Sequence, residues 1–540
     1  MKKKNLSFIF SIVLLFLVSL YSCTDNWETH YSPVSGEKSD LNLYQYIKAQ
    51  DSLSIFSKML SIAGYDSILS KSQTYTVWAP VNSALESINL KDTSLVVEIV
   101  KNHIARFSYT TSGLTAKPIF MLANKIVPFA GNGSTYTFGG KRIVKSNIAT
   151  VNGIIHYIEN YVPYLSNIWE YIGKTAGLDS LKRYLYSNSK FEFDLAASGN
   201  DIGTDAHGQL LYDSVFVFTN KIMNRLGAFN TEDSLYTAIL PNNTAWDEAY
   251  SRIKPYYNTL LADGGPAKQR QYTQWSIFQD LIFRKQVPNP SAFDSLVSTN
   301  GNVFQKPSYL FNGIVPTPVS NGIAYITDKL THNATDSWHK EIRVEAESVS
   351  FTELGSKANF DPLPRTSFGT GFSLSGDKYI YCQNLTTTDF SIAFVKFPIP
   401  NTLSAKYNIY CVFVPTNIVN ATDTLTSKVK FYLSYMDVTK DVNGFDTRIG
   451  KQIVDAPIDA NNKVLAVGKT AAIFTTNSNK KTEIFVTQFE FKYSNLLDYE
   501  NLLTSVATVK LRVENATKKA ETTKSTKDMR IDCIILKPVL

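Results

Sequence analysis

Thr74-Tyr75-Thr76-Val77-Trp78-Ala79-Pro80-Val81-Asn82-Ser83-Ala84 is the stretch on which the fold turns. Its first half is rich in β-formers, Pro80 closes it, and Asn82 or Ser83 then offers an N-cap for a helix. Upstream, Tyr44, Ile47, Leu53, Phe56, Met59, Leu60 and Ile62 recur at three- and four-residue steps, so residues 41–69 read as amphipathic helices. Downstream, Val97 to His103 reads as another helix ending in Asn102-His103, and Ile148 to Glu159 carries Asn152-Gly153 before the apolar run Ile154-Ile155-His156-Tyr157-Ile158. Both residues of Asn152-Gly153 tolerate positive φ, which suits a tight turn that sets the register of the strand after it.

The three pieces, in this order over residues 40–163, resemble the fasciclin domain: Ala79-Pro80 with Asn82 and Ala84, then the Asn-His pair, then Asn-Gly-hydrophobic-hydrophobic-His. The resemblance implies an α+β module. His103 and His156 invite a metal or acid/base reading, but each is flanked by apolar residues and no carboxylate or cysteine spacing completes a site. They are expected to be buried, hydrogen-bonded core groups.

The same grammar recurs over residues 165–330. Helical Ile168 to Leu185 leads to Tyr236-Thr237-Ala238-Ile239-Leu240-Pro241-Asn242-Asn243-Thr244-Ala245-Trp246, and Asn321-Gly322-Ile323-Ala324-Tyr325 closes it, with Tyr325 in the place of His156. An internal repeat is the economical reading, giving two fasciclin-like α+β domains. This copy lacks the Asn-His pair in a helix expected around Trp275 to Phe283. It also carries an insertion of about residues 191–233, with a strand-like run at Ser214 to Phe218. Long insertions often form binding surfaces. Asp201, Asp205, His207 and Asp213 within it match no metal-ligand spacing and read as solvated loop.

Past His339 the texture becomes alternating strands between Gly, Pro and Asn turns, which predicts an all-β sandwich over residues 342–540. Its opening Ile342-Arg343-Val344-Glu345-Ala346-Glu347 and closing Met529 to Leu536 resemble the end strands of galactose-binding-type jelly rolls, many of which are carbohydrate-binding modules. That resemblance implies a structural calcium at Glu345, Glu347 and Asp532. Tyr432, Tyr435 and Phe445 read equally as core or as contact aromatics, so an adhesive spacer and a glycan binder both stay open. Cys382 and Cys411, expected on neighbouring strands, either pair or stay free, and Cys533 is left over.

At the other end, Lys2-Lys3-Lys4, an apolar run from Phe8 to Leu20 and Leu20-Tyr21-Ser22-Cys23 form a secretion leader, 1–22, too short to be a retained span. The cysteine after Ser22 resembles a bacterial lipobox. The resemblance implies a mature chain acylated (palmitate among the chains) at Cys23, a polar tether over 23–39, and, from Asp25 and Glu28, an outer-membrane lipoprotein facing out of the cell.

Removing the three leader lysines lowers the net charge from +7 to +4, and no mature segment clusters five basic residues, so nucleic acid is not an expected partner. Neither Gly-x-Ser-x-Gly, His-Glu-x-x-His nor a phosphate-binding glycine loop occurs, and an enzyme is not expected; a glycan-processing enzyme with an unrecognised site is the outlying alternative. Triplets such as Asp51-Ser52-Leu53, Asp179-Ser180-Leu181 and Asp423-Thr424-Leu425 resemble periplasmic O-glycosylation acceptors and serve equally as helix caps. Two functional readings follow. One is a lipid-anchored adhesion protein that recognises an extracellular glycan or protein without cofactor. The other is an accessory lipoprotein of a TonB-dependent nutrient importer, docked to the transporter and its lid.

Overall fold

The computed structural model describes residues 37–205, 207–348, 353–355, 358–364, 373–385, 393–440, 446–497 and 507–540. The leader, Cys23 and Phe445 lie outside them. The described residues form two compact units: residues 37–171 with Phe229–Leu235 and Pro318–Gly322, and Ile172–Ala228 with Tyr236–Thr317 and the described part of 323–540.

In the first unit, α1 (Leu43–Lys48), α2 (Ser54–Ile62) and α3 (Tyr65–Ile68) precede β1 (Tyr75–Pro80). Asn42 and Gln45 close a capping box on α1. Then come α4 (Thr93–Lys101), capped by Asp92, β2 (Ile104–Arg106), β3 (Ala116–Phe120), β4 (Ile126–Gly131), β5 (Tyr136–Phe138), β6 (Lys141–Thr150) and β7 (Gly153–Ile158). The sheet runs β2-β1-β7-β6-β5-β4-β3, with β1 parallel to β7 from Tyr75↔Gly153 to Pro80↔Ile158. Every residue of β1 is buried. Val77 and Ala79 pack under Phe56, Met59, Leu60, Ile99 and Val100, while Trp78 points to the opposite core of Ile119, Phe129 and Phe138, stacked on Phe138 at 4.3 Å. A central strand covered on both faces reads as a continuous apolar run, as this one does.

Two local expectations are corrected here. Asn82 does not cap a helix: residues Asn82–Ala84 make a 3-10 turn capped by Val81, and the Asn82 amide reaches back to Asp51 O, Ser54 Oγ and the Ile55 N–H. Neither Asn152 nor Gly153 is among the positive-φ residues. Gly153 is required for space instead, because a Cβ there would stand 2.0 Å from the Tyr75 carbonyl oxygen across the parallel pair.

The following stretch has α5 (Ile168–Lys174), α6 (Asp179–Ser187), β8 (Ser189–Phe193), β9 (Asp201–Thr204), β10 (Leu210–Tyr212), β11 (Phe216–Asn220) and α7 (Lys221–Leu226). The helix expected from 168 to 185 is broken at Gly177, whose φ of +82° no helix accommodates. Strands β8 and β11 pair antiparallel, and β9 and β10 pair in the segment between them, a ribbon within a ribbon. Next come β12 (Tyr236–Pro241), α8 (Asn243–Ile253), α9 (Gly265–Phe278), β13 (Ile282–Arg284), β14 (Ser295–Val297), β15 (Val303–Gln305), β16 (Pro316–Val319) and β17 (Gly322–Thr327), with a sheet in the order β13-β12-β17-β16. The helix expected to run to Phe283 ends at Phe278; Ile282 and Phe283 are strand, paired with Ala238 and Thr237.

The last part is β18 (Ile342–Glu345), β19 (Glu353–Leu354), β20 (Ala358–Pro364), β21 (Lys378–Asn384), β22 (Phe394–Pro398), β23 (Lys406–Phe413), β24 (Thr426–Lys440), β25 (Asp446–Pro457), β26 (Phe474–Thr475), β27 (Thr482–Glu490), β28 (Lys510–Asn515), β29 (Ser525–Thr526) and β30 (Met529–Pro538). One sheet runs β20-β21-β30-β23-β27, with β18 on β30; the other runs β19-β22-β28-β24-β25, with β26 and β29 on β24. Side chains from the two sheets meet at Phe413 and Phe431, 6.2 Å apart, and at Tyr435 and Phe489, 4.7 Å apart. The expected first and last strands pair directly, Ile342↔Leu536 to Glu345↔Cys533. Cys382 and Cys411 are not on neighbouring strands. Cys382 lies opposite Met529 on one edge of β30 and Cys411 opposite Ile534 on the other, so β30 separates them. All three described cysteines are free and buried, and burial raises each thiol, Cys382 and Cys533 to about 12.

Candidate functional site

In the first module the signature residues close hydrogen bonds on the backbone. Asn152 Oδ1 accepts the Leu43 N–H at 2.8 Å, and its amide donates to the carbonyls of Leu69 and Lys71 at 2.8 and 2.6 Å. Thr76 Oγ1 donates to Phe107 O and accepts the Tyr109 N–H. His103 Nδ1 lies 2.7 Å from Ile99 O while its Nε2 accepts the Val162 N–H; His156 Nε2 lies 2.9 Å from Tyr109 O while its Nδ1 accepts the Asn147 N–H. Burial lowers both imidazoles to about 4, so both are neutral bridging groups at neutral pH.

Residues 165–325 repeat this set. Asn321 Oδ1 accepts the Ile168 N–H, and its amide donates to Phe229 O and Thr231 O. Thr237 Oγ1 donates to Lys285 O and accepts the Val287 N–H. Tyr325 donates through its hydroxyl to Val287 O at 2.7 Å, the job His156 does toward Tyr109. Phe107 and Lys285, at matching places, share φ of +71° and +73°. In the place of Asn102-His103 stand Asp280-Leu281, with Asp280 held by Ser298, Asn302 and Ser337 at 2.5–2.7 Å.

Lys125 carried no sequence signal. Its side chain, 4% exposed, reaches Glu170 at 2.7 Å and Glu232 at 2.8 Å, with Ser320 bonded to Glu232. A lysine in a short turn between strands looks solvated in sequence, and only the fold brings the two acids to it.

The calcium candidates do converge. Ser375 donates its N–H to Asp532 Oδ1 at 2.9 Å and its hydroxyl to Glu345 Oε1 at 2.5 Å; Glu347 Oε1 crowds Gly376, where a Cβ would stand 2.5 Å from it. Glu345 Oε2 and Glu347 Oε2 are buried without a hydrogen-bond partner. Burial, then the charges of Glu345 and Asp532, raise the Glu347 carboxyl, and burial raises fully buried Asp532 against the pull of Lys481. Lys481 Nζ stands 3.2 Å from Asp532 Oδ2. Calcium takes six to eight oxygens, whereas among the described residues no three acidic, His or Cys side chains could hold a metal ion. As arranged, the cluster is not a closed calcium site: Lys481 is the counter-charge of Asp532 alone, and Glu345 Oε2 and Glu347 Oε2 point inward without a hydrogen-bond partner.

The insertion presents two surfaces. Asp205 Oδ1 accepts the His207 and Gln209 N–H groups, and Asp213 accepts from Asn200, so these acids shape turns. On the outer ribbon, Phe191 pairs with Phe218 and Phe193 with Phe216, both at 5.7 Å, yet Phe191 is 71% and Phe216 58% exposed. Patches of this kind mark contact surfaces.

Residues 51–162 match the family model described as Fasciclin domain, so the chain carries a fasciclin domain there. Transforming growth factor-beta-induced protein ig-h3 of Sus scrofa is 24% identical over 127 residues, a match spanning 22% of this chain and 19% of that protein. Among solved structures, a FAS1 domain pair from the insect cell adhesion molecule fasciclin I aligns over 54% of this chain and 97% of its own, with 11% identity and a TM-score of 0.19. A xylan-binding domain of CBM 22 aligns over 35% and 88%, with 14% identity and the same TM-score, 0.19. At such scores neither alignment carries an argument about fold or ligand.

Proposed function

We propose that the chain is a non-catalytic, lipid-anchored surface protein of the outer membrane that binds an extracellular glycan or protein, with two fasciclin-like modules and a carbohydrate-binding-like sandwich reaching out from Cys23. The observation that carries the repeat is the shared hydrogen-bond set: Asn152 and Asn321, Thr76 and Thr237, His156 and Tyr325 each do the same work on the same backbone positions. The supported role of these groups is architectural, because their polar atoms are turned onto the protein's own backbone and neutral histidines serve as bridges.

The exposed phenylalanine ladder of β8 and β11 supports the second reading, a subunit docked through protein contacts to a TonB-dependent transporter and its lid. Fractionation of cells tests the anchor common to both. The wild-type chain is expected in the outer membrane and accessible to protease on intact cells, and C23A is expected to be soluble. Wild-type protein recovered soluble, or C23A still in the membrane, would remove the lipid from the account.

A further inference from the structure

The second unit holds a cleft of about 490 Å³ between the module of residues 172–317 and the sheets that follow it, lined by Trp275, Asn300, Asn302, Trp338, His339 and Lys340 among others. It adjoins a second hollow of about 520 Å³ whose lining includes Lys190, Lys221 and Arg270, and the two share Arg225, Gln271 and Trp275. Helix periodicity builds the shared wall. Lys221 and Arg225 lie one turn apart on α7, and Gln271 and Trp275, like Arg270 and Gln274, one turn apart on α9. The Arg225 guanidinium lies 3.4 Å from the Trp275 ring centroid.

The charge of this trough is predominantly positive, with the Asp280 carboxylate buried behind Asn300, Asn302 and Ser337. Glu341 is the one carboxylate among its described lining residues, and Arg343 already holds it at 2.8 Å. Lys190 is tied to Glu192 outside the lining. Arg225, Arg270, Lys221 and Lys340 also line it with positive charge, Lys340 already bonded to Asn302. Low-dielectric walls of one sign concentrate an oppositely charged ligand. The rest of the lining is what a hydroxyl-rich ligand uses: side-chain amides, ring faces and one orphan imidazole. His339 is 1% exposed, packed 5.1 Å from the Tyr256 ring and 5.5 Å from Tyr407, and neither ring nitrogen has a hydrogen-bond partner. A buried polar group left unpaired is costly, and a ligand hydroxyl would satisfy it.

We infer that this trough binds an acidic oligosaccharide, a run of uronic-acid sugars whose carboxylates meet the Lys221–Arg225–Arg270 wall and whose hydroxyls meet the amides and His339. The inference rests on the glycan-binding reading above. Lys221, Arg225 and Arg270 are exposed on helix surfaces, so charge changes at Lys221 and Arg270 leave the packed core untouched.

The test is calorimetric titration of the full-length chain with hexagalacturonate, with xylohexaose as the neutral probe and a single-stranded DNA 12-mer as a polyanion that is not a sugar. Hexagalacturonate is expected to bind at least tenfold more tightly than either, more weakly as salt rises, and at least tenfold more weakly to K221E/R270E, with K221R/R270K close to wild type. Equal binding of xylohexaose, or indifference to K221E/R270E, overturns the inference while leaving glycan binding intact. Equal binding of the DNA overturns the ligand class. Silence toward hexagalacturonate overturns the inference; the broader reading falls only if no other glycan binds either.

Discussion

His156 sits fully buried between the Tyr109 carbonyl and the Asn147 N–H, and His103 between Ile99 and Val162. Both are depressed to about 4 in the folded chain against about 6.5 unfolded, so the unfolded state takes up protons first. Their contribution is fully present above pH 6.5 and is lost as pH falls toward 4, about 3 kcal/mol for each imidazole. The opening free energy of the β7 amides, read from hydrogen exchange after correction for the intrinsic amide rate, is expected to fall steeply between pH 6.5 and 4, and H156Q to remove about half of that slope. A slope unchanged in H156Q would mean that the proton goes elsewhere. That these histidines are buried, hydrogen-bonded core groups was legible from their apolar neighbours; which backbone groups each one bridges was not. Gly153 was legible as a required glycine, but for the wrong cause, since the Tyr75 oxygen that excludes a side chain there lies 78 positions away.

Among residues, Lys481 shows why the acidic cluster was only half readable. Glu345, Glu347 and Asp532 announced themselves through the strand motifs, whereas Ser375 and Lys481 lie in turns with no pattern of their own. With lysine as counter-charge, millimolar calcium is expected to leave the melting temperature unchanged within about a degree, and K481M to lower it by several degrees as Asp532 loses its partner. A calcium-dependent rise in wild type would restore the metal reading.

At the scale of elements, the signature strands were readable because they are apolar on both faces and bounded by Pro and Asn. Helix ends were less so. The expected helix over 168–185 breaks at Gly177, and the one over 275–283 stops at Phe278 because the β12 edge recruits Ile282 and Phe283. Cys382 and Cys411 looked adjacent because β21 and β23 are near in sequence, but β30 enters between them from the far end of the chain. Lys125 belongs to this scale as well, for it joins the turn before β4 to α5 and to the segments around Glu232 and Ser320. K125M is expected to cost about 3–5 kcal/mol, because it leaves buried Glu232 without a counter-charge, while K125M/E232Q recovers much of it. Chemical denaturation measures both; a K125M cost below 1 kcal/mol would reduce the triad to an incidental contact.

For the whole molecule, a fasciclin domain at 51–162, a repeat of its hydrogen-bond set in residues 165–325 and two sheets, antiparallel but for the short β24–β29 pair, follow one another along the chain, and they carry an exposed aromatic ribbon and a basic trough. The ribbon's position was signalled by the insertion's length; the trough was not, since its cations come from four separate elements and turns. The most direct test of a surface binder is a glycan array probed with the full-length chain. The account predicts saturable binding to at least one class of extracellular polysaccharide, competed by the same glycan in solution. Silence across all glycans, from protein that is folded by circular dichroism, would contradict the glycan-binding reading and leave only recognition of a protein.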